Sequence, residues 1–176
     1  MLIINVNNFS MMNNLPNYIT TIRLIFTIPL IIFLEKNNLF YVWIIIIFAG
    51  ITDYLDGYFA RKFKLKTKIG AILDPLADKV FIIIPLIWLC KYEVIPFWSL
   101  SIILIREFIV SAFRGLQENG LPALKISKYK TFLQFISLLI LFSNFNQFNI
   151  QTIGLIIYWI SFALTIISSY SYLKIK

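Results

Sequence analysis

Long apolar runs separated by short polar segments dominate the sequence. A helix that crosses a bilayer needs about 20 mostly apolar residues, and six such runs lie along the chain. They cover residues 17–34, 39–60, 71–89, 95–116, 127–145 and 152–172. A soluble helix bundle would show a polar face on each helix. The pattern therefore predicts an all-α membrane protein with six transmembrane helices.

The segments outside these runs are too short to form a second domain. The connections read EKNN, KFKLKTK, KYE, QENGLPALK and NQFN. We therefore expect a single transmembrane domain over residues 1–176. The first sixteen residues carry no charged side chain and no small-residue cleavage site, so they do not resemble a signal peptide. They are better described as an N-terminal interfacial segment.

Composition and charge support a membrane protein and indicate its orientation. Apolar residues make up 60% of the chain, and the mean hydropathy is +0.84. The net charge of +8 would suit a nucleic-acid-binding protein, but the basic residues lie between apolar runs, so we expect no nucleic-acid partner. Segments 61–68 and 114–130 and the C-terminus hold eleven of the sixteen basic residues, against Lys36 and Lys91 on the opposite side. The positive-inside rule therefore places both termini and these two loops in the cytoplasm.

The rare residue types limit the possible chemistry. Cys90 is the single cysteine and the sequence contains no histidine. A disulfide within the chain and a zinc cluster are thereby excluded, and so is the commonest general base. Any acid–base or metal chemistry must use carboxylates.

All four aspartates of the chain lie within one stretch of 26 residues. On helices, Asp53 and Asp56 would share a face at spacing i,i+3, and Asp74 and Asp78 would lie one turn apart at i,i+4. Carboxylates inside a membrane are costly unless paired or coordinated, and four of them would repel one another. A divalent cation would relieve this repulsion, and oxygen ligands without histidine or thiolate favour Mg²⁺ or Mn²⁺.

The acids and the glycines near them also fit roles without a metal. The aspartates could form structural salt bridges with Arg61 and Lys79 near the cytoplasmic surface. Gly57 and Gly70 could serve only close helix packing, or could let a ligand lie against bare backbone. A cation transporter also places acids on paired helices. It does not explain why all the aspartates crowd one side of the membrane, or why basic residues lie alongside them.

The acidic residues belong to a longer motif with fixed gaps. It reads Asp53-x2-Asp56-Gly57-x2-Ala60-Arg61-x8-Gly70-x3-Asp74-x3-Asp78. This spacing resembles, at every specified position, the signature of the CDP-alcohol phosphotransferases. The resemblance implies an enzyme that transfers a phosphatidyl group from a CDP-linked lipid to a small alcohol.

The same resemblance implies a role for each position. Asp53, Asp56 and Asp74 would ligate one or two Mg²⁺ ions at the pyrophosphate of the CDP-lipid, with Asp78 as a further ligand or as the catalytic base. CDP-lipid binding would involve four other residues. These are Gly57 and Arg61 along the nucleotide and its phosphates, and Asn17 and Thr20, in the run LPNYITTIR, near the cytidine.

A basic set on the fourth and fifth runs could bind a phosphorylated acceptor. Arg106 and Arg114 are eight residues apart, about two turns of one helix face. The planar fork of arginine suits phosphate because it donates two parallel hydrogen bonds. We assign Arg106, Arg114 and Lys130 to the acceptor phosphate, together with Lys128. The alternatives are an internal ion pair of Arg106 with its neighbour Glu107, and lysines that only anchor the helix at the cytoplasmic surface.

Shorter stretches refine the resemblance. GAILDPLADK, IREFIVSAFR and ISKYKT resemble bacterial members of the family that use glycerol 3-phosphate as acceptor. Related members that take inositol phosphate or form cardiolipin share parts of these stretches. The resemblance implies CDP-diacylglycerol and glycerol 3-phosphate as substrates, and a homodimer. It also implies a multi-pass location in the bacterial inner membrane, with the active site facing the cytoplasm.

Overall fold

A computed structural model describes residues 6–63, 68–116, 125–143 and 148–173, with side chains described for 21–55, 76–112, 126–143 and 149–170. These described residues form six α-helices and no strand. The helices are α1 (Val6–Glu35), α2 (Leu39–Phe63), α3 (Lys68–Lys91), α4 (Phe97–Leu116), α5 (Lys125–Leu141) and α6 (Phe148–Leu173). The predicted all-α class is thereby confirmed, with one helix on each apolar run.

The helices differ from the predicted spans at their ends. α1 begins at Val6, so most of the predicted interfacial segment continues into the first helix. Within the described ranges, Asn149–Tyr170 of α6 is long and apolar enough to cross a bilayer, and Leu39–Leu55 of α2 is a shorter apolar stretch. The six-span topology stays a prediction.

The chain divides into two compact units, Met1–Ile84 and Pro85–Lys176. In the first unit α1 packs against α2, with the rings of Phe26 and Phe48 4.8 Å apart. The turn between them places Asn37 at a φ of 53°, and the amide of Asn38 donates to the carbonyl of Phe33 at 2.9 Å. Asparagine tolerates this left-handed conformation better than most residues, which explains the tight end of α1.

In the second unit α6 packs against both α4 and α5. The hydroxyls of Ser99 on α4 and Tyr158 on α6 share a buried hydrogen bond of 2.7 Å. Ser137 of α5 donates to the carbonyl of Gly154 on α6 at 3.0 Å. Hydrogen bonds from serine side chains to a neighbouring helix are typical of helices that pack in lipid.

Many large apolar side chains are exposed and several polar side chains are buried, beside a buried apolar core that includes Leu30, Ile46 and Phe142. Large apolar side chains point outward on the helices, for example Ile28, Phe108 and Ile156, which are 61%, 70% and 54% exposed. Polar side chains are buried instead: Arg23, Thr27, Thr52, Ser99, Arg106, Lys130, Gln134, Ser137, Ser161, Thr165 and Ser168. An apolar exterior of this extent needs a covering, and a lipid bilayer supplies one.

Candidate active site

An arginine on α1 binds two of the four aspartates. Arg23 is 2% exposed, and its Nη1 donates to Oδ1 of Asp53 at 3.3 Å and to Oδ1 of Asp78 at 2.5 Å. Asp53 lies on α2 and Asp78 on α3. Their side chains are 60% and 39% exposed, so both remain partly accessible from outside the helices. We call these three residues the Arg23 cluster.

The Arg23 cluster contains a residue that the sequence did not assign to the site. The sequence offers Arg61 and Lys79 as salt-bridge partners of the acids, and the structure shows Arg23 as a partner of Asp53 and Asp78. The side chain of Arg61 lies outside the described set, so that pairing stays a prediction. A signal was available, because Arg23 is an ionisable residue within an apolar run, and such residues are usually functional in membrane proteins. Its partners could not be named, because they lie 30 and 55 residues away.

The donor chemistry of the Arg23 cluster fits a hard divalent cation. Oδ1 of Asp53 and Oδ1 of Asp78 both contact Nη1 of Arg23, so these two carboxylate oxygens lie near each other. Carboxylate oxygens are the ligands that such cations prefer. Among the side chains that are described, no three acidic or sulfur-bearing residues come together as a metal site. Of the four aspartates, Asp53 and Asp78 alone belong to that set.

The remaining residues of the predicted metal and CDP-lipid sites lie on helices, but their side chains fall outside the described set. The same applies to one predicted acceptor residue. These residues are Asn17, Thr20, Asp56, Gly57, Arg61, Asp74 and Arg114. Their roles stay predictions.

A second group of charged side chains lies in the other unit. Glu107 of α4 accepts from Nη1 of Arg106 at 2.9 Å and also pairs with Nζ of Lys130 on α5. Both contacts use the same oxygen, Oε1. Arg106 is 7% exposed and Lys130 is 2% exposed. We call Arg106, Glu107 and Lys130 the Glu107 cluster.

The Glu107 cluster brings together two of the predicted acceptor-binding residues. The ion pair of Arg106 with Glu107, which the sequence left as an alternative, is present. One carboxylate contacts two cations, so the three side chains together carry a net charge of +1. A buried cluster of net positive charge attracts anions, and arginine is well shaped for phosphate.

Lys128 is not part of this group. It lies two residues before Lys130 on α5 and is exposed, whereas Lys130 is buried, so the two lysines lie on different faces of the helix. Among the contacts of the described residues, none joins Lys128 to the Glu107 cluster. The structure therefore separates the two lysines that the sequence grouped together.

Two serines on α6 accept hydrogen bonds from Arg106. Nη2 of Arg106 donates to Oγ of Ser168 at 2.8 Å, and Nε donates to Oγ of Ser169 at 3.2 Å. The sequence carried no signal for these residues, since serines in apolar helices most often bond to their own backbone. The guanidinium of Arg106 thus contacts side chains of α4 and α6, and α5 joins the group through the contact of Lys130 with Glu107.

The chain is similar to a known family over most of its length. Residues 13–167 match the model of the CDP-alcohol phosphatidyltransferase family. A relative from Rickettsia typhi is 40% identical over 173 residues, covering 93% of this chain and 97% of the relative. A Haemophilus influenzae relative is 35% identical over 174 residues, 92% of either chain. A Bacillus subtilis relative is 34% identical over 134 residues, 73% of this chain and 69% of its own. All three are named CDP-diacylglycerol–glycerol-3-phosphate 3-phosphatidyltransferase.

Proposed function

Because the chain belongs to the CDP-alcohol phosphatidyltransferase family, we propose that it transfers the phosphatidyl group of CDP-diacylglycerol to sn-glycerol 3-phosphate. The products are phosphatidylglycerophosphate and CMP, which makes the protein an enzyme of phospholipid biosynthesis. The observation that carries this proposal is 40% identity across 97% of a relative with that name. The two charged clusters support it, because the reaction joins two phosphate-bearing substrates.

The Arg23 cluster supports a metal site for the CDP-lipid. Asp53, Asp56 and Asp74 would hold Mg²⁺, with Mn²⁺ as a substitute, and Asp78 would add a ligand or accept the proton. When bound, the metal would neutralise the pyrophosphate and stabilise the departing CMP. Arg23 holds Asp53 and Asp78 next to each other from a third helix. This arrangement limits the movement of both carboxylates before any substrate binds.

The Glu107 cluster supports a binding site for the acceptor phosphate. Arg106 and Lys130 would hold the phosphate of glycerol 3-phosphate, together with Arg114. A free hydroxyl oxygen of the acceptor then attacks the phosphorus that carries the diacylglycerol. A new P–O bond forms, the P–O bond to CMP breaks, and the hydroxyl proton passes to a general base; the family resemblance gives Asp78 either this role or that of a metal ligand. Phosphoryl transfer of this kind depends mainly on positioning and charge neutralisation.

The location follows from the exterior and from the charge pattern. We propose six transmembrane helices in the bacterial inner membrane, with both termini and the active site on the cytoplasmic side. The outward Ile and Phe side chains and the buried polar residues support a lipid environment. The family resemblance supports a homodimer, which light scattering of the detergent-solubilised protein would measure.

A comparison of acceptors tests the proposed reaction. Purified protein in detergent would be given CDP-diacylglycerol and Mg²⁺ with glycerol 3-phosphate, inositol phosphate, serine or phosphatidylglycerol, and the lipid product identified by mass spectrometry. We expect phosphatidylglycerophosphate with the first acceptor, at a rate well above that with the others. A higher rate with another acceptor would contradict the assignment within the family. CMP release with none of them would contradict the enzyme assignment itself.

A further inference from the structure

The guanidinium of Arg106 donates hydrogen bonds to two adjacent serines of the last helix, α6. Ser168 and Ser169 lie 62 and 63 residues beyond it, and their Oγ atoms accept from Nη2 and Nε at 2.8 and 3.2 Å. These two nitrogens form one edge of the planar guanidinium. A pair of neighbouring residues thus binds that whole edge.

The hydroxyl protons of both serines are directed away from Arg106. Ser168 donates to the carbonyl of Thr165 at 3.0 Å, and Ser169 donates to the same carbonyl at 2.7 Å. A hydroxyl has a single proton to donate, so each Oγ presents lone pairs to the arginine. The backbone of α6 therefore fixes the two serines as hydrogen-bond acceptors.

These contacts orient the arginine without cancelling its charge. Serine is neutral, so it can bind one edge of the guanidinium and leave the positive charge intact for an anion. The remaining nitrogen, Nη1, is directed to Oε1 of Glu107, the atom that also contacts Nζ of Lys130. The serine pair thereby sets the direction in which Arg106 approaches Lys130.

We propose that Ser168 and Ser169 are positioning residues for acceptor recognition. They hold Arg106 in the orientation in which it and Lys130 bind the phosphate of glycerol 3-phosphate. This inference rests on the proposed function. It assigns α6, which carries none of the predicted site residues, a part in the choice of a phosphorylated acceptor.

The test is the double variant Ser168→Ala/Ser169→Ala. We expect the KM for glycerol 3-phosphate to rise about tenfold, since hydrogen bonds to charged groups are worth more than neutral ones. The KM for CDP-diacylglycerol should stay within about twofold, because its site uses other residues. Calorimetric titration with glycerol 3-phosphate, in the absence of the CDP-lipid, should show weakening by a similar factor.

Two further variants separate positioning from general damage to the helix. Ser161→Ala removes another buried serine of α6, whose hydroxyl donates to the carbonyl of Tyr158 at 2.7 Å. It should leave both KM values near those of the wild type. Ser169→Thr keeps the hydroxyl at a half-buried position and should restore most of the acceptor affinity that Ser169→Ala loses.

Different results would overturn the positioning role of the two serines and the proposed function. An active wild type together with an unchanged acceptor KM in the double variant overturns the positioning role alone. An equal rise of both KM values, or the same effect from Ser161→Ala, also overturns it. If the wild type releases no CMP, the proposed function fails, and the calorimetric comparison still tests the serines. Absence of CMP release together with absence of glycerol 3-phosphate binding to the wild type would overturn both.

Discussion

Arg23 and Asp78 lie 55 residues apart in the sequence, and Nη1 of Arg23 donates to Oδ1 of Asp78 at 2.5 Å. The same nitrogen contacts Asp53 at 3.3 Å. One guanidinium nitrogen therefore contacts two carboxylates that we propose as part of a metal site. We expect Arg23 and a bound metal ion each to neutralise part of the negative charge of these acids.

Replacing Arg23 should destabilise the protein most strongly when no metal is present. In Arg23→Gln, Asp53 and Asp78 lose a shared cation, so their mutual repulsion rises. We expect the Tm in EDTA to fall by about 5 °C, and the deficit to shrink when Mg²⁺ is added. Thermal unfolding in detergent with and without Mg²⁺ measures both effects.

Thr27→Val provides the control for this experiment. Thr27 is buried one turn further along α1, and its hydroxyl contacts the carbonyl of Arg23 at 3.5 Å. Any Tm change in this variant should be the same in EDTA and in Mg²⁺. An equal loss for Arg23→Gln in both conditions would show that Arg23 and the metal do not act on the same carboxylates.

The two lysines near the start of α5 should differ sharply in their effect on the acceptor. Lys130 is 2% exposed and paired with Glu107, whereas Lys128 is exposed. Lys130→Gln should raise the KM for glycerol 3-phosphate by at least about tenfold, since truncating a buried charge is costly. Lys128→Gln should change it by less than about twofold. One steady-state assay measures both KM values. Similar effects of the two substitutions would contradict the different roles that we expect for the two lysines.

Glu107 should be needed mainly to keep two buried cations together. Glu107→Gln removes the carboxylate from between Arg106 and Lys130 and should lower the stability by about 3 kcal/mol, the usual effect of breaking a buried ion pair. Adding Lys130→Gln removes one of the two cations that contact Glu107 in the wild type, so the double variant should lose less stability than the two single losses combined. The comparison requires unfolding measurements on four proteins: the wild type, Glu107→Gln, Lys130→Gln and the double variant. Strictly additive losses would mean that the two side chains act independently.

The contact of α5 with α6 depends on a glycine. A Cβ atom at Gly154 would lie 2.9 Å from Cγ and Cδ2 of Leu141 and 3.1 Å from Cγ2 of Ile140. Gly154→Ala should therefore reduce the stability by about 1–3 kcal/mol through overpacking. The compensating change Leu141→Ala in the same chain should restore part of the thermal stability. A Tm of Gly154→Ala equal to that of the wild type would indicate looser packing of α5 on α6.

The helices could be predicted from the sequence because each consists of one apolar run between polar segments. The ends of the helices were harder to predict from the sequence. α1 begins at Val6, well before the predicted span at residue 17, because the polar residues of its first turns do not prevent helix formation. Hydropathy locates the part of a helix that suits lipid, and a helix can extend beyond it.

The charged clusters could be predicted only where the partners are close in sequence. The pair of Arg106 with its neighbour Glu107 was foreseen as an alternative, whereas the contact of Glu107 with Lys130, 23 residues away, was not. A sequence shows which residues share a face of one helix, but it does not show which faces of different helices meet. For the same reason Arg23 and the serine pair of α6 emerged only with the structure.

The release of CMP by the purified protein tests the central claim most directly. With CDP-diacylglycerol and glycerol 3-phosphate, we expect CMP release that requires Mg²⁺ and falls at least about 100-fold in Asp78→Asn. Glu35→Gln, an equivalent change at the exposed end of α1, should keep the wild-type rate. Folded wild-type protein that releases no CMP, or an Asp78→Asn variant as active as Glu35→Gln, would contradict the proposed reaction.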